Sequence, residues 1–170
     1  KGLIKPCDVK LDVLEPSEEW MRILTDNFER NGLTKSIRKK YKVKWEDFNE
    51  SKRYDLLTFF HSVYGIDIES LSKIPNFLKE NGCACIVVES PNSDLHQIKR
   101  ELFPYVHNRE LVSSSNTIAS FLDSEGLKYR ISGEEPQRFY VDELLDKTNP
   151  QRIIPLSFVL QTRPEDHDKL

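Results

Sequence analysis

Val9-Lys10-Leu11-Asp12-Val13-Leu14-Glu15, followed at once by Pro16-Ser17, is the stretch on which the fold turns. It reads as a strand that stops on an acidic residue, with Ser17 opening a new helix. In nucleotide-binding α/β folds, ligands sit beyond the carboxyl ends of the parallel strands. A carboxylate there can accept two hydrogen bonds from a ribose diol, and ionised acceptors make strong ones. Glu15 is therefore a candidate ligand contact. The simpler alternative is a carboxylate kept near a helix N-terminus by the helix dipole.

Working outward, Ser17 caps a helix in which Trp20, Ile23, Leu24 and Phe28 recur at helical spacing, with Gly32 as its stop. A short strand is expected around Tyr41–Trp45, then a polar turn over Glu46–Lys52. Tyr54–Phe60 (YDLLTFF) reads as a strand buried on both faces. His61–Asp67 reads as a loop, and Leu71, Ile74, Phe77 and Leu78 as a helix ending at Gly82, with Pro75 in its first turn or at a kink. Cys83–Glu89 (CACIVVE) is a second buried strand, Asp94–Phe103 a helix ending before Pro104, and Asn116–Glu125 a helix stopped by Gly126. A strand at Leu127–Ser132, a helix at Val141–Lys147 and a strand at Leu156–Thr162 complete the pattern. Strands alternating with helices imply an α/β domain with a parallel sheet.

The 170 residues suit a single domain able to bury a real core. Net charge is -3 with basic and acidic residues interleaved, which argues against a nucleic-acid groove. The basic run Arg38-Lys39-Lys40 is expected to be a solvated connection. Cys7, Cys83 and Cys85 fit neither a disulfide framework nor a zinc site, and the last two are expected to be buried beside a strand in a reducing compartment. No apolar run reaches the ~18 residues of a membrane span, and no signal peptide is expected. The chain enters its first strand almost at once, so it reads as the C-terminal portion of something longer.

Order and residues together resemble the class I S-adenosylmethionine-dependent methyltransferases. The segments that carry the likeness are LDVLEPS (11–17), KWEDF (44–48), YDLLTFFHSVYGI (54–66), NGCACIVVES (81–90), SFLDSEGLKYRI (120–131) and SFVLQT (157–162). Within that superfamily the chain is similar to histamine N-methyltransferase-like small-molecule enzymes, through Glu15-Pro16-Ser17, the Val63-Tyr64 loop, and Phe121-Leu122 with Gly126-Leu127-Lys128-Tyr129. The resemblance implies a Rossmann-like, mostly parallel sheet with an antiparallel last strand, in spatial order 3-2-1-4-5-7-6. Residues 1–170 would be a partial domain with a helix-rich, substrate-side insertion at about 90–112. The first strand would be missing from between Val9–Leu14 and Tyr54–Phe60, which would either pair directly with each other or, as favoured, be separated by a gap about one strand wide.

The implied function is methyl transfer from S-adenosyl-L-methionine to a small-molecule acceptor, an amine nitrogen of the histamine type. A cytoplasmic monomer without nucleic-acid or membrane partners is expected, and no metal site. On this resemblance Glu15 takes the ribose hydroxyls; Asp47, Glu50 and Ser51 belong to the adenine-contacting segment; Phe60 packs on the cofactor. His61 and Tyr64 are the candidate catalytic residues, His61 because imidazole can take a proton or orient an amine near neutral pH. The chain departs from that family in three places. It lacks the glycine-rich turn of the first motif, so these residues alone are expected to be inactive. His61 stands where those enzymes carry glutamine, and Gly65 where they carry a second tyrosine. A nicotinamide-dependent oxidoreductase, or a truncated member that no longer holds the cofactor, remains open as an alternative.

Overall fold

The computed structural model describes residues 9–107, 114–132 and 148. They fall into two compact units, one containing the described residues up to Phe48 and the other those from Asn49 onward.

In the first unit, β1 (Leu11–Leu14) leads into α1 (Glu18–Arg30), a 3-10 turn (Thr34–Ser36) and β2 (Ile37–Tyr41). β2 runs parallel to β1, so the three elements form a β-α-β crossover. Ser17 starts α1 as expected: its hydroxyl accepts the Trp20 N–H at 3.2 Å. At the other end, the Gly32 N–H donates to the Glu29 carbonyl and the Leu33 N–H to the Phe28 carbonyl, the paired closure of a helix ending in a left-handed residue.

The second strand lies four residues earlier than the predicted Tyr41–Trp45. Leu14 already pairs with Tyr41, so the parallel register with β1 is used up there. The basic run is thus the strand itself rather than a connection. Its mostly exposed, charged side chains suit an edge, and Arg38 grips Asp12 across the ladder with two 2.7 Å bonds. Trp45 and Phe48 are buried in the turn that follows, stacked at 6.2 Å, with Tyr41 edge-on to Phe48 at 5.0 Å.

The second unit is built on β3 (Tyr54–Phe60) and β4 (Leu78–Val87), again parallel, joined by 3-10 segments at Val63–Gly65 and Ile68–Phe77. α2 (Asp94–His107) and α3 (Ser115–Ser124) follow. The strand over residues 54–60 is where the sequence placed it. The helix predicted through residue 78 is instead a 3-10 segment ending at Phe77. Buried Leu71, Ile74 and Phe77 lie three residues apart, the period of a 3-10 helix, so all three face one way. α2 continues through Pro104 to His107, losing one intrahelical bond near its end rather than stopping.

Gly82 is not a helix stop but part of β4. The ladder jumps from Tyr54–Leu78 to Leu56–Cys83, so β4 bulges between these pairs. A Cβ on Gly82 would lie 2.7 Å from the Tyr54 carbonyl oxygen and 3.1 Å from the Lys79 backbone, where no flexible side chain can give way. Gly82→Ala is therefore expected to cost about 1–3 kcal/mol, as overpacking does, measured by urea denaturation. Gly65→Ala, whose Cβ meets nothing within 4 Å, serves as the tolerated control.

The two faces of the β3–β4 sheet differ. Leu57, Phe59, Ala84 and Ile86 pair in register on one face, with Phe59 fully buried. Leu56, Thr58, Phe60, Cys83, Cys85 and Val87 share the other face, where Leu56 is 51% and Phe60 60% exposed. The expectation of a strand buried on both faces, with Cys83 and Cys85 inside, is corrected accordingly: both thiols are exposed.

The class is thus mixed α/β with parallel sheets. Among the described residues the ladders form two separate two-stranded sheets, and none joins β1 to β3. Residues 127–132 form no strand. The helix and strand expected at 141–147 and 156–162 lie outside the described residues. No helix among the described residues is long and apolar enough to cross a membrane.

Candidate functional site

The carboxyl ends of β3 and β4 lie side by side, because Phe60 pairs with Val87 in the parallel ladder. His61 and Glu89 emerge just beyond them, where α/β folds place their ligands. The His61 N–H donates to the Val87 carbonyl at 2.9 Å, extending the ladder by one bond. Its backbone is left-handed, with φ of 50°, the one such non-glycine residue among those described. Conformations of this kind concentrate at functional sites.

Tyr64 comes from the short 3-10 turn that follows and is buried. Its hydroxyl accepts the Glu89 backbone N–H at 3.0 Å and lies 3.3 Å from His61 Nδ1. His61 Nδ1 is also 3.5 Å from Glu89 Oε1. Lys99, reaching in from α2, donates to that same Glu89 oxygen at 2.6 Å and sits 4.3 Å above the Tyr64 ring. Ser115, at the start of α3, ties its N–H to the Glu89 carbonyl at 3.2 Å. Glu89 is therefore the hub that joins both strand ends to both helices.

Lys99 is only 1% exposed, and Glu89 and His96 are buried beside it. Burial pushes the Glu89 carboxyl upward, but His61 and Lys99 beside it outweigh that and hold it below the usual carboxylate range. Burial lowers the Lys99 ammonium, against the pull of Glu89. It also lowers His96, where the Glu89 charge opposes it and Arg100 and Lys99 reinforce it. Glu89 Oε2 and His96 Nδ1 are buried without hydrogen-bond partners among the described residues.

Of the predicted residues, His61 and Tyr64 are thus brought together, and Phe60 stands next to them in sequence with its ring exposed. Glu50 and Ser51 lie in the segment before β3. In the first unit, Glu15 sits at the end of β1, and its Oε1 accepts the Ser17 N–H at 2.7 Å, the helix-start role given as its simpler reading. Asp47 closes the turn over residues 45–47 and is exposed there, while Trp45 at its start is buried. Sequence reading did not reach Glu89 and Lys99. No group of possible metal ligands occurs among the described residues.

The cluster combines an ionised carboxylate, a half-exposed imidazole, a phenol and a buried ammonium. Such a set can hold a polar ligand and move a proton. Neither a scan against protein-family models nor a search of curated proteins finds a match for this chain.

Proposed function

We propose that the protein transfers a methyl group from S-adenosyl-L-methionine to the nitrogen of a small amine, with His61 and Tyr64 on the acceptor side. The observation that carries this reading is the His61–Tyr64–Glu89 cluster at the carboxyl ends of two parallel strands. It gives chemical substance to the position that the sequence resemblance singles out for the acceptor. The sulfonium donor brings its methyl already activated, so the chain's task is to align the acceptor, exclude water and take up a proton.

The residues assigned to the donor have suitable chemistry. Glu15 is half-exposed and oriented by the Ser17 N–H, and an ionised carboxylate is an acceptor of the kind a ribose diol needs. Asp47, Glu50 and Ser51 offer acceptors for an adenine amine. Phe60 is an apolar ring at a strand end.

Mass spectrometry of a small-amine panel incubated with full-length protein and donor tests the reading. Acceptors heavier by one methyl are expected, with S-adenosylhomocysteine formed in equal amount. No product, together with no thermal shift by S-adenosylhomocysteine, would dispose of it. Within this reading, Glu15→Ala should weaken S-adenosylhomocysteine binding by about 1.5–3 kcal/mol, the worth of a charge-assisted hydrogen bond. Calorimetry with an unchanged dissociation constant would remove Glu15 from the site.

A further inference from the structure

We infer that Glu89 is the positioning residue for His61, fixing its proton on Nδ1 so that Nε2 takes the proton of an acceptor that arrives as an ammonium ion. This deepens the methyl-transfer reading and rests on it.

The tautomer follows from what surrounds Nδ1. It lies 3.3 Å from the Tyr64 hydroxyl and 3.5 Å from Glu89 Oε1. A bare Nδ1 would turn its lone pair toward a carboxylate oxygen. A protonated Nδ1 meets an ionised acceptor instead, and hydrogen bonds to ionised groups are the stronger kind. The Tyr64 hydroxyl fits either tautomer, since it takes the Glu89 backbone N–H at 3.0 Å and keeps both a proton to give and a lone pair to offer, so the carboxylate decides between them. Lys99 donates to the same oxygen at 2.6 Å, so the carboxylate has a charged partner besides His61.

The ring is also held in place. The left-handed backbone at His61, the Nδ1 contacts and the bond from its N–H to Val87 leave it little freedom. The His61 side chain is 34% exposed, against 6% for Glu89. The carboxylate therefore stands behind the imidazole and an incoming amine meets the imidazole.

The step balances as follows. The acceptor ammonium gives one proton to Nε2, which frees the lone pair on nitrogen. That pair forms the bond to the methyl carbon as the carbon–sulfur bond breaks, its electrons passing to sulfur and turning the sulfonium donor into a thioether. The imidazolium beside Glu89 then releases its proton to water. The substrate class is a small amine that is protonated at neutral pH. The titratable groups facing His61 are Tyr64 from its own turn, Glu89 beyond β4, and Lys99 with His96 from α2.

Nitrogen-15 NMR of histidine-labelled protein reads the tautomer without any turnover, with His61→Gln assigning the signals. Wild-type His61 is expected as the Nδ1–H form. Glu89→Met combined with Lys99→Met removes both buried charges, so neither is stranded, and should abolish that preference. A wild-type Nε2–H form, or an unchanged tautomer in the folded double variant, overturns the inference.

In the full-length protein the double variant should lose about 10²-fold in kcat, the usual reach of a general base. The amine KM should change little. The deficit should shrink as pH rises, because the amine then arrives already deprotonated; a purely structural defect would be equal at every pH and would overturn the inference. A wild-type protein with the Nδ1–H form that methylates no amine sinks the methyl-transfer reading and the proton-acceptor role with it. The tautomer alone still decides whether Glu89 controls His61.

Discussion

Replacing Lys99 by methionine is expected to destabilise the protein by about 3–5 kcal/mol, the usual cost of leaving one member of a buried ion pair alone. Lys99 and Glu89 meet at 2.6 Å with side-chain exposures of 0% and 6%, so water cannot take over for the missing ammonium. The penalty is that of a stranded carboxylate rather than the worth of the pair. Glu89→Met combined with Lys99→Met should therefore recover much of the loss, and two defects that merely add would refute this account. The pH dependence has a definite sign. In the wild type the Glu89 carboxyl is held below its unfolded value, so its contribution is fully present above the ordinary carboxylate range and is lost as pH falls through the lowered folded value. In Lys99→Met the carboxyl keeps only the His61 contact against its burial, so its charged form costs more than in the wild type and acid relieves it. The gap between wild type and variant, read as urea midpoints, should be widest near neutral pH and narrow toward acid.

Much of the fold was legible where local chemistry and burial agree. The Ser17 cap, the ends of the helices after residues 30 and 124, and the bounds of β3 follow from capping residues and an apolar run. What the sequence misjudged were features set by pairing. β2 was placed too late because the aromatic pair Tyr41 and Trp45 looked more strand-like than Ile37-Arg38-Lys39-Lys40. Parallel register with β1 selected the latter. The 68–77 segment was read with a 3.6-residue period because Leu78 extends the apolar run. In the structure Leu78 begins β4, and the remaining apolar residues keep a period of three. Gly82 and Pro104 were read as punctuation by residue type, while the bulge and the helix that contain them depend on the surrounding backbone.

The candidate site was half legible for a related reason. His61 and Tyr64 follow an obvious strand and stand out by chemistry. Lys99 does not, because two of the larger apolar residues of α2 point elsewhere: Ile98 and Leu102 are each 40% exposed, while His96, Lys99 and Phe103 are buried. A face formed by a histidine, a lysine and a phenylalanine at helical spacing has no hydrophobic signature. It is buried because Glu89 offers Lys99 an ionised partner, and Glu89 lies just past β4 on a different element, so the pairing has no local pattern. The signal that was present is narrower: an acidic residue directly after the apolar run CACIVV, matching Glu15 after its own strand.

Leu71→Ala is expected to cost about 2–5 kcal/mol, the range for emptying a packed aliphatic site, while Leu56→Ala should change stability by less than about 0.5 kcal/mol. Leu71 is 1% exposed and lies in line with Ile74 and Phe77 on the 3-10 segment against which α3 packs. Leu56 belongs to β3 but sits on the open face of the sheet, 51% exposed. Both are leucines in the same unit, so intrinsic hydrophobicity predicts similar losses and only burial separates them. Urea denaturation of the two variants measures the contrast directly. Equal losses would mean that the face carrying Leu56, Phe60 and Val87 is as fully packed as the one carrying Phe59, and that the sheet's core has been assigned to the wrong side.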